Sequence, residues 1–493
     1  MPYIFYDTET TGTNTTYDQI LQFGAILTDD ELRELNRFEI RCRLSPHIVP
    51  TPGALRATKV RPAQLTDPSL LSHYEAVCAI AGKLRAWSPA IFIGYNSLEF
   101  DEMLLRQAFY QNLKPVYLTN TNRNTRADTL RLVQAATAYV PGSIIVPVIG
   151  EGRPTRRLDA IAPANGFNRH KAHDALGDVE ATIFMARLVK QRASVVWDEL
   201  MPMAAKSAVI QRTLSGQILS LTEFYNGRPY SRLVVGCGQN PEYDAQLGVF
   251  DLRYEPERYL DLPTESLIKV MNSRKKAIRS VRANNQPILL PWTLRGLDFH
   301  DLNIEGNETE RRAQVISQSR EFQIRVGEAL RNRYPTRESA AYVEERIYDG
   351  FPSKTDQFLM EQFHKVPWES RGKIVDLLDD ERLRELGYRL IYLEEPNALS
   401  EGKRRELDLW KSQRLNPNGN APWMTIGAAM NQADKLQEEE SENRIFAELI
   451  EWLQTLGSRD PTVEREAHAG IEPEAPNGLL RTDIGVPRGM PVG

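Results

Sequence analysis

Apolar residues along this chain fall into short clusters with two different periods. Residues 3–9, YIFYDTE, and 19–28, QILQFGAILT, are β-branched and aromatic runs bounded by turn-forming residues, which predicts two strands. The TTGTNTTYD between them carries turn chemistry, and a third run near 38–44 completes a meander. Residues 69–86 follow a helical pattern. AIFIGYN at 90–96 is a short buried strand, and the FDEMLLRQAFYQNL after it is amphipathic at helical spacing. LDAIAPANGF and HDALGDVEATIFMARLVKQRA add two more helical segments. Strands first, then strand and helix in alternation, predict an α/β domain over 1–195.

The pattern then changes. Residues 200–215 read as a linker opening a second unit. From QILSLTEFY to VRANNQPILLPW, strand-like runs alternate with turns such as NGRP and GQNPEYD, with a helical insert near 264–280 and a charged helical stretch at 308–333. This predicts a β-rich domain over 200–338. Residues 340–456 read as a helical domain. Residues 457–493 are rich in Pro, Gly and Glu without apolar periodicity, which predicts disorder.

Composition narrows the class. With 493 residues, 41% hydrophobic and 26% charged, the chain is a multidomain globular protein. No apolar run approaches the roughly 20 residues of a membrane span, and no signal peptide opens the chain, so a cytoplasmic protein is expected. Cys42, Cys78 and Cys237 are scattered and odd in number, which excludes a disulfide framework or a thiolate zinc site. The formal charge of −5 argues against a generally basic surface, but a nucleic-acid groove needs only a local basic stripe.

Asp7 and Glu9 change the picture most. Residues two apart on a strand share a face, so two carboxylates lie side by side in a run that is otherwise apolar. They repel unless a cation sits between them, and a hard divalent ion such as Mg²⁺ meets that need. An exposed edge strand with solvated acids is the plain alternative. Asp101 opens a predicted helix just after a strand; there an acid also suits the first turn, and Glu102 fits that purpose. His173 and Asp178 lie five apart, about 140° around a helix. They converge only if His173 precedes the helix, with Asp174 as its N-cap and Asp178 in its first turns.

The order Asp-x-Glu, Asp, His-x₄-Asp, with the flanking TTG, FD and HDA, resembles the DEDDh family of 3′→5′ exonucleases. The GYN before FD, the RRLDAIAPANGF stretch and IYDGFPSKTD further on are similar to the bacterial exonuclease I family, over nearly all of the chain up to about residue 456. This resemblance implies an RNase H-like exonuclease domain with a mixed sheet, then an SH3-like β-rich domain and an α-helical C-terminal domain. It implies a two-metal hydrolysis with Mg²⁺, or Mn²⁺ in its place. Asp7 would bridge both ions, Glu9 and Asp178 would complete the tighter site, Asp101 would hold the second, and His173 would be the general base. Glu9 would also touch the terminal 3′-hydroxyl, and Arg157 would contact substrate. The resemblance further implies single-stranded DNA as substrate, a role in repair and recombination, a monomer, and a single-stranded-DNA-binding protein docking through its acidic C-terminal tail.

Position alone makes Arg106, a turn and a half beyond Asp101, a candidate phosphate contact; the alternative is a solvated helix arginine. Arg123 and Arg126 in an Asn/Thr-rich loop and the SRKKAIRSVR stretch at 273–282 are further basic clusters. Tyr95, Phe109, Tyr110 and Tyr117 are candidates for base stacking or for core. Two other functions compete: a DEDDh exoribonuclease, disfavoured by the long chain beyond the nuclease domain, and a non-catalytic nucleic-acid-binding module, disfavoured because all five motif residues are present.

Overall fold

The computed structural model describes residues 1–150, 152–168, 174–294, 306–334 and 339–458. The first sheet contains β1 (Tyr3–Thr10), β2 (Ile20–Thr28), β3 (Glu34–Arg41), β4 (Ile91–Gly94) and β5 (Thr125–Asp128), in the order β3-β2-β1-β4-β5. The β1–β2 and β2–β3 pairs are antiparallel, and β1–β4 and β4–β5 are parallel, so the sheet is mixed as expected. Parallel neighbours require crossovers. Helix α1 (His73–Trp87) leads into β4 and α2 (Asp101–Gln111) leads into β5. Helices α3 (Thr129–Tyr139), α4 (Leu158–Ala164) and α5 (Ala175–Arg192) complete the domain.

Strand β1 runs through the middle of the sheet and is covered on both faces. Tyr3 and Phe5 join the core beneath α3 and α5, whereas Ile4 and Tyr6 join the core beneath α1 and α2. The run YIFY is therefore apolar at every position. Past it, the same alternation sends Asp7 and Glu9 to the α5 side and Thr8 to the α2 side, which decides the geometry of the site.

The second sheet holds β6 (Leu219–Tyr225), β7 (Arg228–Gln239), β8 (Gln246–Asp251), β9 (Ile278–Arg282) and β10 (Leu289–Pro291). It is antiparallel throughout, in the order β9-β8-β7-β6-β10. The helical insert is Thr264–Asn272, and helices Gly306–Gln318 and Arg320–Asn332 follow. Residues 200–215 are not a linker. Lys206–Thr213 is a helix that packs tightly on β7, where a Cβ at Gly236 would lie 2.0 Å from the Thr213 carbonyl oxygen. Tyr139 of α3 donates to Ser220 Oγ of β6 at 2.8 Å, and Leu219, Leu221 and Leu289 share the core of α3 and α5.

Helices from Lys354 to Ser458 form the C-terminal region. It docks on the first domain twice: through Tyr74, Tyr110 and Leu113, and through Leu21, Leu44, Ile48 and Leu55. Residues 459–493, where disorder is expected, lie outside the described residues. Among the described residues, no helix is long and apolar enough to cross a membrane.

Candidate active site

The site forms at the C-terminal end of β1, where helices of both covering layers begin. On the α5 side, one carboxylate oxygen each from Asp7, Glu9 and Asp178 lies within 4.8 Å of the others. Asp178 arrives in the first turn of α5, whose N-cap is Asp174, accepting from Gly177 N at 3.4 Å. The helix can start this close because Gly24 of β2, directly opposite Asp7, has no side chain. A Cβ there would lie 2.8 Å from the Leu176 nitrogen. Gln22, opposite Glu9, donates to Asp174 Oδ1 at 3.0 Å and to Glu39 at 2.8 Å, tying the helix start to β2 and β3.

Asp101 reaches the same place from the other layer. The β1–β4 pairing spans only Tyr3 to Phe5, which leaves the Thr8 backbone N–H on that edge without a strand partner. It donates instead to Asp101 Oδ1 at 3.1 Å, and Thr8 Oγ1 donates to the same oxygen at 2.6 Å. The loop before Asp101 is set by the buried Asp128, which accepts from Asn96 N at 2.8 Å and Leu98 N at 3.2 Å.

The electrostatics are those of crowded, buried carboxyls. Burial pushes the Asp7 carboxyl well up, reinforced by Asp101, Asp178 and Glu9. Burial, then Asp178 and Asp101, push Glu9 up to about 8. Burial also pushes Asp101 up to about 7, although the Thr8 hydrogen bonds pull the other way. Arg41 lowers Glu9, yet its guanidinium is already bonded to Asp174 at 2.8 Å and Glu39 at 3.2 Å. Convergent carboxylate oxygens of this kind fit hard divalent cations such as Mg²⁺ or Mn²⁺.

The other expected residues separate. His173 lies outside the described residues. Arg157 sits at the N-cap position of α4, exposed, with its guanidinium forked onto Asp159 at 2.7 and 3.2 Å. It lines a cleft of about 560 Å³ together with Tyr95, Asn96, Arg156 and Asp178. Arg106 is not a solvated helix arginine. Its Nε donates to Glu102 at 2.7 Å, its side chain is 10% exposed, and its guanidinium lies over the Tyr117 ring. Glu102 is not a simple first-turn acid either. It is fully buried and accepts from Arg106, from Arg126 at 2.9 Å, from Thr119 at 2.7 Å and from Tyr6 at 3.3 Å.

Arg126 thus belongs to β5 and to this buried network, while Arg123 is exposed in a turn at φ 69°. In the 273–282 stretch, Arg274, Lys275 and Arg282 are exposed, but Arg279 turns to Glu223 at 3.3 Å. Phe109 and Tyr110 are core, at 1% and 3% exposure. Tyr95 lines the cleft, its hydroxyl donating to the Arg156 carbonyl. Gly24, Gln22 and Asp128 were not singled out by sequence. A glycine inside an apolar strand was the one available signal, for Gly24.

The chain is similar to known proteins over most of its length. A family described as Exonuclease matches residues 4–185, and one described as Exonuclease I C-terminal domain matches residues 341–456. The chain is 27% identical over 403 residues to Exodeoxyribonuclease I of Escherichia coli strain K12, covering 78% of this chain and 83% of that protein. The solved Exonuclease I from Methylocaldum szegediense superposes with a TM-score of 0.79 at 25% identity, over 93% of this chain and 100% of that one. A zinc-bound complex of Escherichia coli exonuclease I with single-stranded DNA gives 0.78 at 22% identity, over 92% and 98%.

Proposed function

We propose that this chain, an exonuclease of the bacterial exonuclease I type, is a Mg²⁺-dependent 3′→5′ exodeoxyribonuclease that degrades single-stranded DNA to mononucleotides in repair and recombination. The observation that carries the reading is the convergence of Asp7, Glu9 and Asp178, with Asp101 anchored beside them by Thr8. Two divalent ions bound there would supply an activated water, neutralise the phosphoryl oxygens and assist the leaving 3′-oxygen. Asp7, Glu9 and Asp178 are the residues that would hold them, and Asp101 would serve the second position.

The chain's own residues do the rest. His173 takes the proton of the attacking water at its ring nitrogen, as the family resemblance implies; an imidazole near its ordinary pKa of ~6.5 suits that task at neutral pH. Glu9 meets the terminal 3′-hydroxyl. Arg157, on the rim of the cleft that Asp178 lines, meets the phosphate chain. The cleft continues to Phe224 and Gly227 of the second sheet, which we read as SH3-like and as part of the strand's path. Single-stranded DNA and zinc in the relative's complex support the substrate and the metal-binding character of the site.

We further read the protein as a cytoplasmic monomer that docks the acidic tail of a single-stranded-DNA-binding protein. A separate cleft of about 660 Å³ is lined by Arg320, Arg331 and Glu328, with Arg331 3.6 Å from Glu242, and Arg320 is the countercharge it offers an acidic peptide. Retention of the tail peptide at low salt is the expected result, and no retention removes the partner.

End-labelled single-stranded DNA, double-stranded DNA and RNA oligomers, each with Mg²⁺ or EDTA, test the main reading. Stepwise loss from the 3′ end of single-stranded DNA, abolished by EDTA, is expected. A clear preference for RNA overturns the assignment of substrate.

A further inference from the structure

The loop that follows Glu9 is held by a part of the chain some four hundred residues away. The β1–β2 register slips between Glu9 and Thr10, so the metal-site strand ends in an irregularity. The loop beyond is wound around Asp18, which accepts from Thr11 Oγ1 at 2.8 Å and from Asn14 N at 2.7 Å. Gly12 packs so closely that a Cβ there would lie 2.5 Å from Asp18 Oδ2. Thr10 Oγ1 donates to the Gly12 carbonyl at 2.6 Å, which links this loop to the last residue of β1.

Thr11 ties the loop to its own domain through Gln19 and Thr51, whereas Tyr17 packs against the C-terminal region. Tyr17 is 5% exposed, with its ring 5.3 Å from Trp423 and 6.5 Å from Tyr342. The Arg414 guanidinium lies 3.9 Å from the Trp423 ring and 4.7 Å from the Tyr17 ring. Arg414 is itself fixed: Glu344 pairs with it at 3.4 Å, and Trp423 Nε1 donates to its carbonyl at 2.7 Å. Asn14 Nδ2 donates to the Pro422 carbonyl at 2.9 Å. At the other side of the loop, Gln111 at the end of α2 donates to the Thr16 carbonyl at 3.3 Å. The loop is thus gripped between the helix that begins with Asp101 and the C-terminal region.

We propose that Tyr17, Trp423 and Arg414 form a positioning device for the reaction, through which the C-terminal region sets the 10–18 loop and hence the placement of Glu9. The proposal rests on the exonuclease reading above. Aromatic rings packed edge-on and tilted around a buried guanidinium are a stiff mount, worth more than an exposed contact of equal area. Displacements of about 1 Å at a reacting centre cost up to about 100-fold in rate. The C-terminal region is then part of the catalytic machinery by geometry, without touching the substrate there.

The test compares the full chain with Trp423→Ala and Trp423→Phe on a short single-stranded oligodeoxynucleotide, with Mn²⁺ binding measured by calorimetry. Trp423→Ala is expected to lower kcat about tenfold with KM within about twofold, and to weaken Mn²⁺ binding severalfold. Trp423→Phe keeps a ring against both Tyr17 and Arg414 and is expected to recover most of both. A kcat within about twofold of the parent, or a change confined to KM or thermal stability, overturns the proposal. Should Trp423→Ala fail to fold, Asn14→Ala removes the Pro422 bond together with the one that Asn14 Oδ1 accepts from Thr16 N; about a threefold loss of kcat is expected, and an unchanged kcat overturns the proposal. A parent chain that leaves single-stranded DNA intact overturns the function reading instead.

Discussion

Asp101 and Glu102 are consecutive in the chain and both buried, at 4% and 0% exposure, yet their surroundings are opposite. Asp101 has two hydrogen bonds from Thr8 and anionic neighbours, and burial holds its carboxyl up at about 7. Burial raises Glu102 as well, but Arg126 and Arg106 outweigh it and leave that carboxyl below its ordinary value. A buried carboxylate with its cations already in place is closed to a ligand. One among other carboxylates, held only by hydroxyl and amide donors, invites a cation from outside. The difference separates an acid of the active site from an acid of the fold, one residue apart on the same helix.

The largest test of this contrast is Asp7→Asn. It should abolish metal-dependent hydrolysis, by about 10³-fold or more in kcat, while raising the melting temperature of the metal-free protein, because the cost of burying or protonating that carboxyl among other acids is gone. A drop in metal-free stability would show that the cluster is not a site of repulsion. Glu102→Gln should do the reverse. It leaves Arg106 and Arg126 buried without their countercharge, at a cost of about 3–5 kcal/mol of stability in chemical denaturation. Its kcat per folded molecule should stay within a few-fold of the parent; a loss like that of Asp7→Asn would put Glu102 among the catalytic acids.

The smallest expected effect is in pH. The carboxyls of Glu9 and Asp101 have folded-state values of about 8 and about 7, above their ordinary 4.5 and 3.8. Between these limits the folded protein holds protons that the unfolded chain releases. In EDTA, therefore, stability should rise as pH falls from about 8 toward about 5. Saturating Mg²⁺ replaces those protons, and the slope should flatten. Melting curves at several pH values with and without metal measure both; an equal slope in EDTA and Mg²⁺ would remove the cation from this cluster.

Much of the site was legible because strand alternation is a strict rule. Asp7 and Glu9 had to share a face, and Asp174 was recognisable as an N-cap that carries Asp178 into the first turn. The strands β1 and β2 and helices α1, α2 and α5 followed from period and turn chemistry. Strand β5, TRAD, escaped notice because it is short and half charged, and its arginine is buried only because Glu102 waits opposite it. Residues 200–215 read as a linker by sequence, yet Lys206–Thr213 is a helix because β7 offers Gly236 as a seat for its last turn. The 10–18 loop carried turn chemistry, but nothing local betrayed Trp423 and Arg414.

By itself, then, the sequence determined the chemistry: which carboxylates are present, on which elements they ride and which face of β1 they share. Those properties depend on neighbours a few residues away, and local geometry dictates them. Only the tertiary structure decided which charges find partners. Arg106 and Arg126 went to Glu102 rather than to the acids around Asp7, and the C-terminal region gripped the loop beside Glu9. Such outcomes turn on which surfaces meet across long sequence separations, where burial makes a countercharge either indispensable or missing.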